Sequence, residues 1–189
     1  MMINDHKVLS KYLRQRGYIV YPDELKCGYI DTPNYPHRWV DVVAYKNTKF
    51  YAFEYKSSGD PISGALKQIE NYRHTFDYVV LVVEVPRKGR TGISLNSKRG
   101  KKIYQIISLG SGVWTLSWNT SKRKFRIKEI TKPILQNPNS TNRRTIEKIF
   151  KKHSWRDKMI EAGFDPRQNR IDQFISGLNH QASTSSTIG

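Results

Sequence analysis

Cysteine is nearly missing from this 189-residue chain: Cys27 stands alone, which excludes an internal disulfide and fits a reducing compartment. The five histidines, His6, His37, His74, His153 and His180, have no zinc-ligand spacing. No P-loop, dinucleotide fingerprint or nucleophile elbow is present, so ATP-driven movement would need another subunit. Long apolar runs are absent too. The longest, within Tyr78 to Val85, is far too short to cross a bilayer, and no signal-peptide pattern precedes it. A cytoplasmic location is expected, nucleoid-associated in a bacterium or archaeon.

Acid is the scarcest resource: 16 Asp plus Glu face 33 Lys plus Arg, a net charge of +17 with a pI near 10.0. That balance favours a polyanionic partner, DNA first, with RNA left open because phosphate contacts do not read the sugar. An acidic membrane surface fits less well, since no strongly amphipathic basic helix with exposed aromatics is evident. The deficit is uneven. Residues 1–85 carry 11 basic and 10 acidic side chains, whereas residues 86–189 carry 22 and 6.

Three basic clusters lie in the second half. Arg87, Lys88 and Arg90 with Lys98, Arg99, Lys101 and Lys102 form the first, which its glycines mark as a mobile loop beside the sheet edge. Lys122, Arg123, Lys124, Arg126 and Lys128 follow the strand 112–118 across an Asn119-Thr120-Ser121 turn and close a hairpin near Ile130. Alternation puts Lys124, Arg126 and Lys128 on one face, with Phe125 and Ile127 on the other. Arg143, Arg144, Lys148, Lys151 and Lys152 belong to a C-terminal helix. Each cluster taken singly also reads as a solvated surface; the three together favour a groove for phosphates, which supplies affinity without sequence information.

The carboxylates of the first half are placed with more order. Trp39 to Tyr45 and Phe50 to Lys56 alternate with a period of two and are rich in aromatic and branched residues, the pattern of strands with one buried face. Only 46–49 separate them. A hairpin with Asn47-Thr48 as its two-residue loop pairs Tyr45 with Phe50 and, counting back, Asp41 with Glu54. Directly opposed residues have Cβ atoms about 4.5 to 5.5 Å apart, close enough for two carboxylates to share one cation. Lys56 projects from the same face as Glu54. Pro22-Asp23-Glu24-Leu25-Lys26 spells a similar motif without a gap, but neighbours on a strand point to opposite faces, so Asp23 and Glu24 cannot converge. Glu-x-Lys alone is cheap, arising by chance in roughly half of chains this long; the strand context and the Asp partner carry the weight.

After the breaker-rich Ser57-Ser58-Gly59-Asp60-Pro61, residues 62–76 have helical spacing, with Ala65, Ile69 and Phe76 able to face inward and Gln68 and Tyr72 four apart on one face. Residues 77–85 read as a fully buried strand. With a helix over 4–16 and a strand near Glu24, the order is helix, strand, hairpin, helix, strand.

In Asp41, Glu54 and Lys56, followed by Gln68-Ile69-Glu70-Asn71-Tyr72, the chain resembles the PD-(D/E)xK nuclease superfamily and the QxxxY motif of its RecB-like branch. Val40 stands where the family name has proline. The resemblance covers about residues 5–85 and more weakly extends to 130. It implies an α/β fold: a restriction-endonuclease-like core with a central mixed sheet flanked by helices, here with a small C-terminal helical extension. It also implies a metal-dependent DNA endonuclease, with Asp41, Glu54 and the Tyr55 carbonyl holding Mg²⁺ or Mn²⁺, and Lys56, Gln68 and Tyr72 completing the catalytic set. Many members add a Glu from the first helix or strand, for which Glu24 is the better candidate. Cutting both strands of a duplex needs two sites, which makes a homodimer a natural assembly, although nothing marks an interface.

Plainer readings stand beside this one. Asp41 and Glu54 could form an ordinary surface ion pair with Lys56, Tyr72 could be core and Gln68 a solvated position. The fold could also serve as a non-catalytic or junction-specific nucleic-acid-binding subunit of a repair, transposition or RNA-processing assembly. The expected organisation is a nuclease-like domain over 1–132, a linker over 133–140, a basic helical extension over 141–180 and a disordered tail over 181–189. In the extension three short helices are expected, starting at Thr141, near Trp155 and at Asn169, either a DNA-reading unit or a cap on the core.

Overall fold

In a computed structural model, the described residues are 5–21, 25–26, 39–85, 96–119 and 124–161. The chain divides into two compact units, Met1–Ile146 and Glu147–Gly189. The first contains a six-stranded sheet in the order β1 (Ile19–Val20), β4 (Val42–Lys46), β5 (Lys49–Lys56), β6 (Tyr78–Glu84), β7 (Gly112–Asn119) and β8 (Lys124–Thr131). Two short strands, β2 (Leu25–Lys26) and β3 (Trp39–Val40), pair separately. The pairs β5–β6 and β6–β7 are parallel and the others antiparallel, so the sheet is mixed. With its flanking helices this is an α/β fold built on a central mixed sheet.

The hairpin between β4 and β5 sets the register. Asn47 and Thr48 take φ of 50° and 63°, the left-handed pair that a two-residue hairpin loop needs, and Tyr45 pairs with Phe50 and Val42 with Phe53 as expected. β6 is apolar and buried from Val79 to Val83 because it is central and covered on both faces. On one face α1 (Asp5–Gln15) inserts Leu9 and Leu13 among Val42, Ala44, Phe53, Tyr55, Val80, Val82 and Trp114. On the other face α2 (Ile62–Tyr72) buries Ile62, Ala65, Ile69 and Tyr72, a helical stripe, and packs beside α3 (Lys98–Ser108).

Several sequence expectations are corrected here. Lys98 to Lys102 is not a mobile loop but the start of α3, the crossover that two parallel strands require. Ser97 caps it by accepting from the Gly100 N–H at 2.9 Å, and Ile103 and Ile106 face inward; the density of charge masked a short apolar period. α2 ends at Tyr72 rather than at 76. A turn closed by the Thr75 and Phe76 N–H groups on the Tyr72 carbonyl lets Phe76 enter the core from outside the helix. The C-terminal segment is one helix, α4 (Ser140–Glu161), across the first two expected helices. Nothing in 141–161 is a strong breaker, so the two expected helices run together as one. The third helix, from Asn169, and the tail lie outside the described residues, as do the 119–121 turn's last two residues.

Residues 132–139 have no regular structure yet run along the first unit. The Ile134, Gln136 and Asn139 N–H groups donate to the carbonyls of Gly110, Asp77 and His74, each at 2.8 Å. Gly112 permits this approach, because a Cβ there would meet the Pro133 ring at 2.8 Å.

Asp77 ties these parts together. It is buried, its Oδ2 accepts the Phe50 N–H at 2.8 Å, and its Oδ1 pairs with Arg143 on the first turn of α4 and with Lys49 at 3.6 Å. Removing a buried carboxylate strands both a cation and a backbone N–H. We therefore expect Asp77→Ala to cost about 3 kcal/mol in urea unfolding. Lys49→Met, removing a partner 37% exposed, should cost less than about 1 kcal/mol.

Candidate active site

The site grows from one buried carboxylate. Glu54 lies on β5 with its side chain on the α2 face of the sheet and is 0% exposed. Lys56, two residues on and on the same face, donates from Nζ to Glu54 Oε1 at 2.5 Å. Across the interface the Tyr72 hydroxyl donates to Glu54 Oε2 at 3.0 Å, and one helical turn back the Gln68 side-chain amide reaches that hydroxyl at 3.5 Å. Glu54, Lys56, Gln68 and Tyr72, picked from two separate motifs, thus form one hydrogen-bonded chain. The plainer reading of a surface ion pair fails because Glu54 is fully buried, whereas Tyr72 is a core residue, as its plainer reading has it, with its hydroxyl bonded to that carboxylate.

Asp41 joins from the opposite strand. The backbone breaks regular pairing there, between β3 and β4, and Asp41 Oδ2 accepts the Tyr55 N–H at 2.7 Å. Its charge still acts on Glu54. The Glu54 carboxyl is pushed up to about 7, first by burial and next by the Asp41 carboxylate, against the lowering effects of Lys56 and Tyr72. Tyr55 itself turns its ring to the other face, edge-on to His6 with centroids 5.8 Å apart. Glu24 lies outside the described residues.

The donor set fits a hard divalent cation. Glu54 has about four lone-pair positions, of which the two bonds above use two, and a buried carboxylate beside a second one is a charge excess that a cation removes. Among the described residues no three His, Cys, Asp or Glu side chains converge. Two carboxylates are hard oxygen ligands of the kind that Mg²⁺, which commonly keeps several waters, accepts.

The exit from β5 is held from three sides by residues whose roles the sequence reading missed. Arg99, at the start of α3, donates to the carbonyls of Ser57, Ser58 and Asp60 at 2.8 to 3.0 Å. Asp60 Oδ2 accepts the Ser57 N–H at 2.8 Å and Glu84 Oε2 the Ser58 N–H at 3.0 Å. The signal available was the Ser97 cap ahead of an Ile103, Ile106, Ile107 period, which would have put Arg99 on a helix.

Of the basic residues, Lys98, Lys101, Lys102, Arg126 and Arg144 are exposed. Arg99 and Arg143 are engaged within the chain, Arg143 also donating to the Thr48 carbonyl at 3.0 Å and lying over the Phe50 ring. Lys124 lies on β8, and Arg87, Lys88, Arg90, Lys122 and Arg123 fall outside the described residues.

Fold and site together define an α/β protein with a mixed six-stranded sheet and a buried carboxylate–lysine centre. The chain belongs to the bacteriophage P4 protein cII family, whose model matches residues 33–188. Among solved structures it is similar to an XisH family protein from Nostoc punctiforme, with 17% identity, 67% of this chain and 98% of that one covered and a TM-score of 0.44. It is also similar to an fdxN element excision controlling factor protein from Anabaena variabilis, with 19% identity, 67% and 97% covered and a TM-score of 0.44. No curated protein matches significantly.

The raised Glu54 carboxyl has a consequence for stability. The folded chain keeps that proton up to about 7, while an unfolded chain releases it near 4.5. Between those values the folded state binds more protons, so stability falls as pH rises through the window. For this fully buried group the loss should approach about 3 kcal/mol. Urea unfolding in EDTA at pH 4.5 and 8 should show that extra loss in the wild type and not in Glu54→Gln.

Proposed function

We propose that this protein is a divalent-metal-dependent nuclease that hydrolyses phosphodiester bonds in DNA. The observation carrying this reading is that Glu54, Lys56, Gln68 and Tyr72 meet in one hydrogen-bonded chain around a buried carboxylate. A structural sheet gains nothing from such an arrangement, since burying a carboxylate beside a second one costs more than an apolar pair in the same place.

Asp41, Glu54 and the Tyr55 carbonyl are the groups that would hold Mg²⁺ or Mn²⁺. The chemistry such a cation supplies when bound is a lowered pKa for water and stabilisation of charge on a phosphoryl group. Lys56 has the further task. Its side chain is 18% exposed, so it is not sealed off while neutralising Glu54, and its ammonium can donate to an attacking water or to a phosphate oxygen as negative charge builds. Gln68 and Tyr72 fix the orientation of Glu54 and, through it, of Lys56. The pinned 57–60 loop prevents Lys56 from drifting at the end of its strand, and small displacements at such a position are costly to rate.

The test uses purified protein with linear duplex, single-stranded and four-way-junction DNA in Mg²⁺ or Mn²⁺. Cleavage is expected in at least one lane, abolished by EDTA and reduced at least about 100-fold by Lys56→Ala. Tyr72→Phe, which removes one donor to Glu54, should cost about tenfold. DNA bound in every lane and cut in none, with either metal, would sink the nuclease reading in favour of a binding subunit.

A further inference from the structure

α3 carries its charge at the wrong end for its own stability. Lys98, Arg99, Lys101 and Lys102 crowd its first turns, with no acid there and no cation in its last turn. The helix dipole disfavours cations at an N-terminus and favours them at a C-terminus. Like charges three and four residues apart add repulsion. Arg99 is accounted for by its three carbonyls, but the three lysines are exposed.

Lys98, Lys101, Lys102 and Gln105 fall at i, i+3, i+4 and i+7, a single stripe, and that stripe lines a cleft of about 600 Å³ whose other wall includes Asp60 and Ser63 at the start of α2. One carboxylate there faces three lysines, and it already accepts the Ser57 N–H. The cleft is joined to the site through the backbone: Asp60 is four residues past Lys56, at most about 14 Å along an extended chain. Arg99 fastens the connecting loop to the same helix that bears the lysines. At about 3.4 Å of axial rise per nucleotide on one strand, that reach spans about four nucleotides.

We infer that the cleft between the start of α2 and the first turns of α3 binds neighbouring backbone phosphates of the nucleic-acid strand, one for each of two or three lysines, within a few nucleotides of the one at Lys56. Lys98, Lys101 and Lys102 are the ligands, and Arg99 is a positioning residue. The inference deepens the nuclease reading above and rests on it for the strand's path, while its binding arm is independent of cleavage.

The test measures binding of a labelled DNA duplex in EDTA across 50 to 300 mM NaCl. Each phosphate contact contributes about 0.9 to the slope of log affinity against log salt, so K98Q/K101Q/K102Q should flatten the slope by about 2 to 3. A matched triple outside the cleft, K7Q/K11Q/K67Q, should flatten it by less than about 1. In Mg²⁺ the cleft variant should raise KM with kcat unchanged, whereas R99Q, whose side chain holds the loop, should lower kcat and leave the salt slope within about 1 of wild type. K101E provides a second variant, expected to weaken DNA binding more than K101Q.

An unchanged slope in the cleft variant, or equal flattening in both triples, overturns the inference. So does inorganic phosphate binding, by calorimetry, that the cleft variant abolishes while its DNA slope stays at the wild-type value. If wild type binds with the expected slope difference but cuts no DNA, the cleft stands and the nuclease reading falls.

Discussion

A carboxylate with no exposure to solvent has to be stabilised by its neighbours, and Glu54 places that demand on the whole of the first unit. Desolvating an ion of this size costs several kcal/mol even after relaxation. Lys56 meets one oxygen and Tyr72 the other, but each can do so only from a fixed place. Lys56 requires that β5 stay extended for two residues past Glu54. Tyr72 requires that α2 lie on this face of the sheet at the depth set by Ile62, Ala65 and Ile69. Asp41 pulls the other way: it raises the Glu54 carboxyl while spending an oxygen on the Tyr55 N–H. The centre is therefore charge-balanced only in part, the condition in which a cation adds stability as well as chemistry.

The second requirement is rigidity where β5 ends. A strand that stops at Lys56 would ordinarily fray into its loop. Here a guanidinium gathers three carbonyls of that loop, and Asp60 and Glu84 satisfy two of its N–H groups. These bonds link β5, β6 and α3, so the crossover helix that closes the parallel part of the sheet also fixes the side chain at the site. On the far edge Asp77 does comparable work for the hairpin and for the 132–139 segment.

How much of this was legible in the sequence depended on periodicity. The 47–48 turn, the β4–β5 register and the buried β6 could all be read, because a two-residue loop and a period of two leave little freedom. Gln68 and Tyr72 could be put on one helix face from spacing alone. What spacing could not show is that Tyr72 and Glu54 would touch, since that depends on the distance between helix and sheet. α3 was missed because its first five residues look like a charged loop and its apolar positions come late. The unbroken α4 was missed because separate groups of apolar residues read as separate helices, although no strong breaker lies between them. Asp77, read only as the start of a strand, gave no hint of its partners, which lie 27 and 66 residues away.

The charge distribution shows how fold changes the meaning of composition. By count, the second half of the chain is an almost unopposed cation, and any of its arginines has the geometry to clamp a phosphate. The fold withdraws two of them. Arg99 and Arg143 are spent on backbone carbonyls and a buried carboxylate, while Arg126 and Arg144 stay exposed. Lysines remain at the surface of α3, and a lysine meets a phosphate as a point charge on a flexible stem, with little geometric demand. On α3 the arginine holds the scaffold and the lysines face outward, a division that suits gripping a backbone whose sequence is not being read.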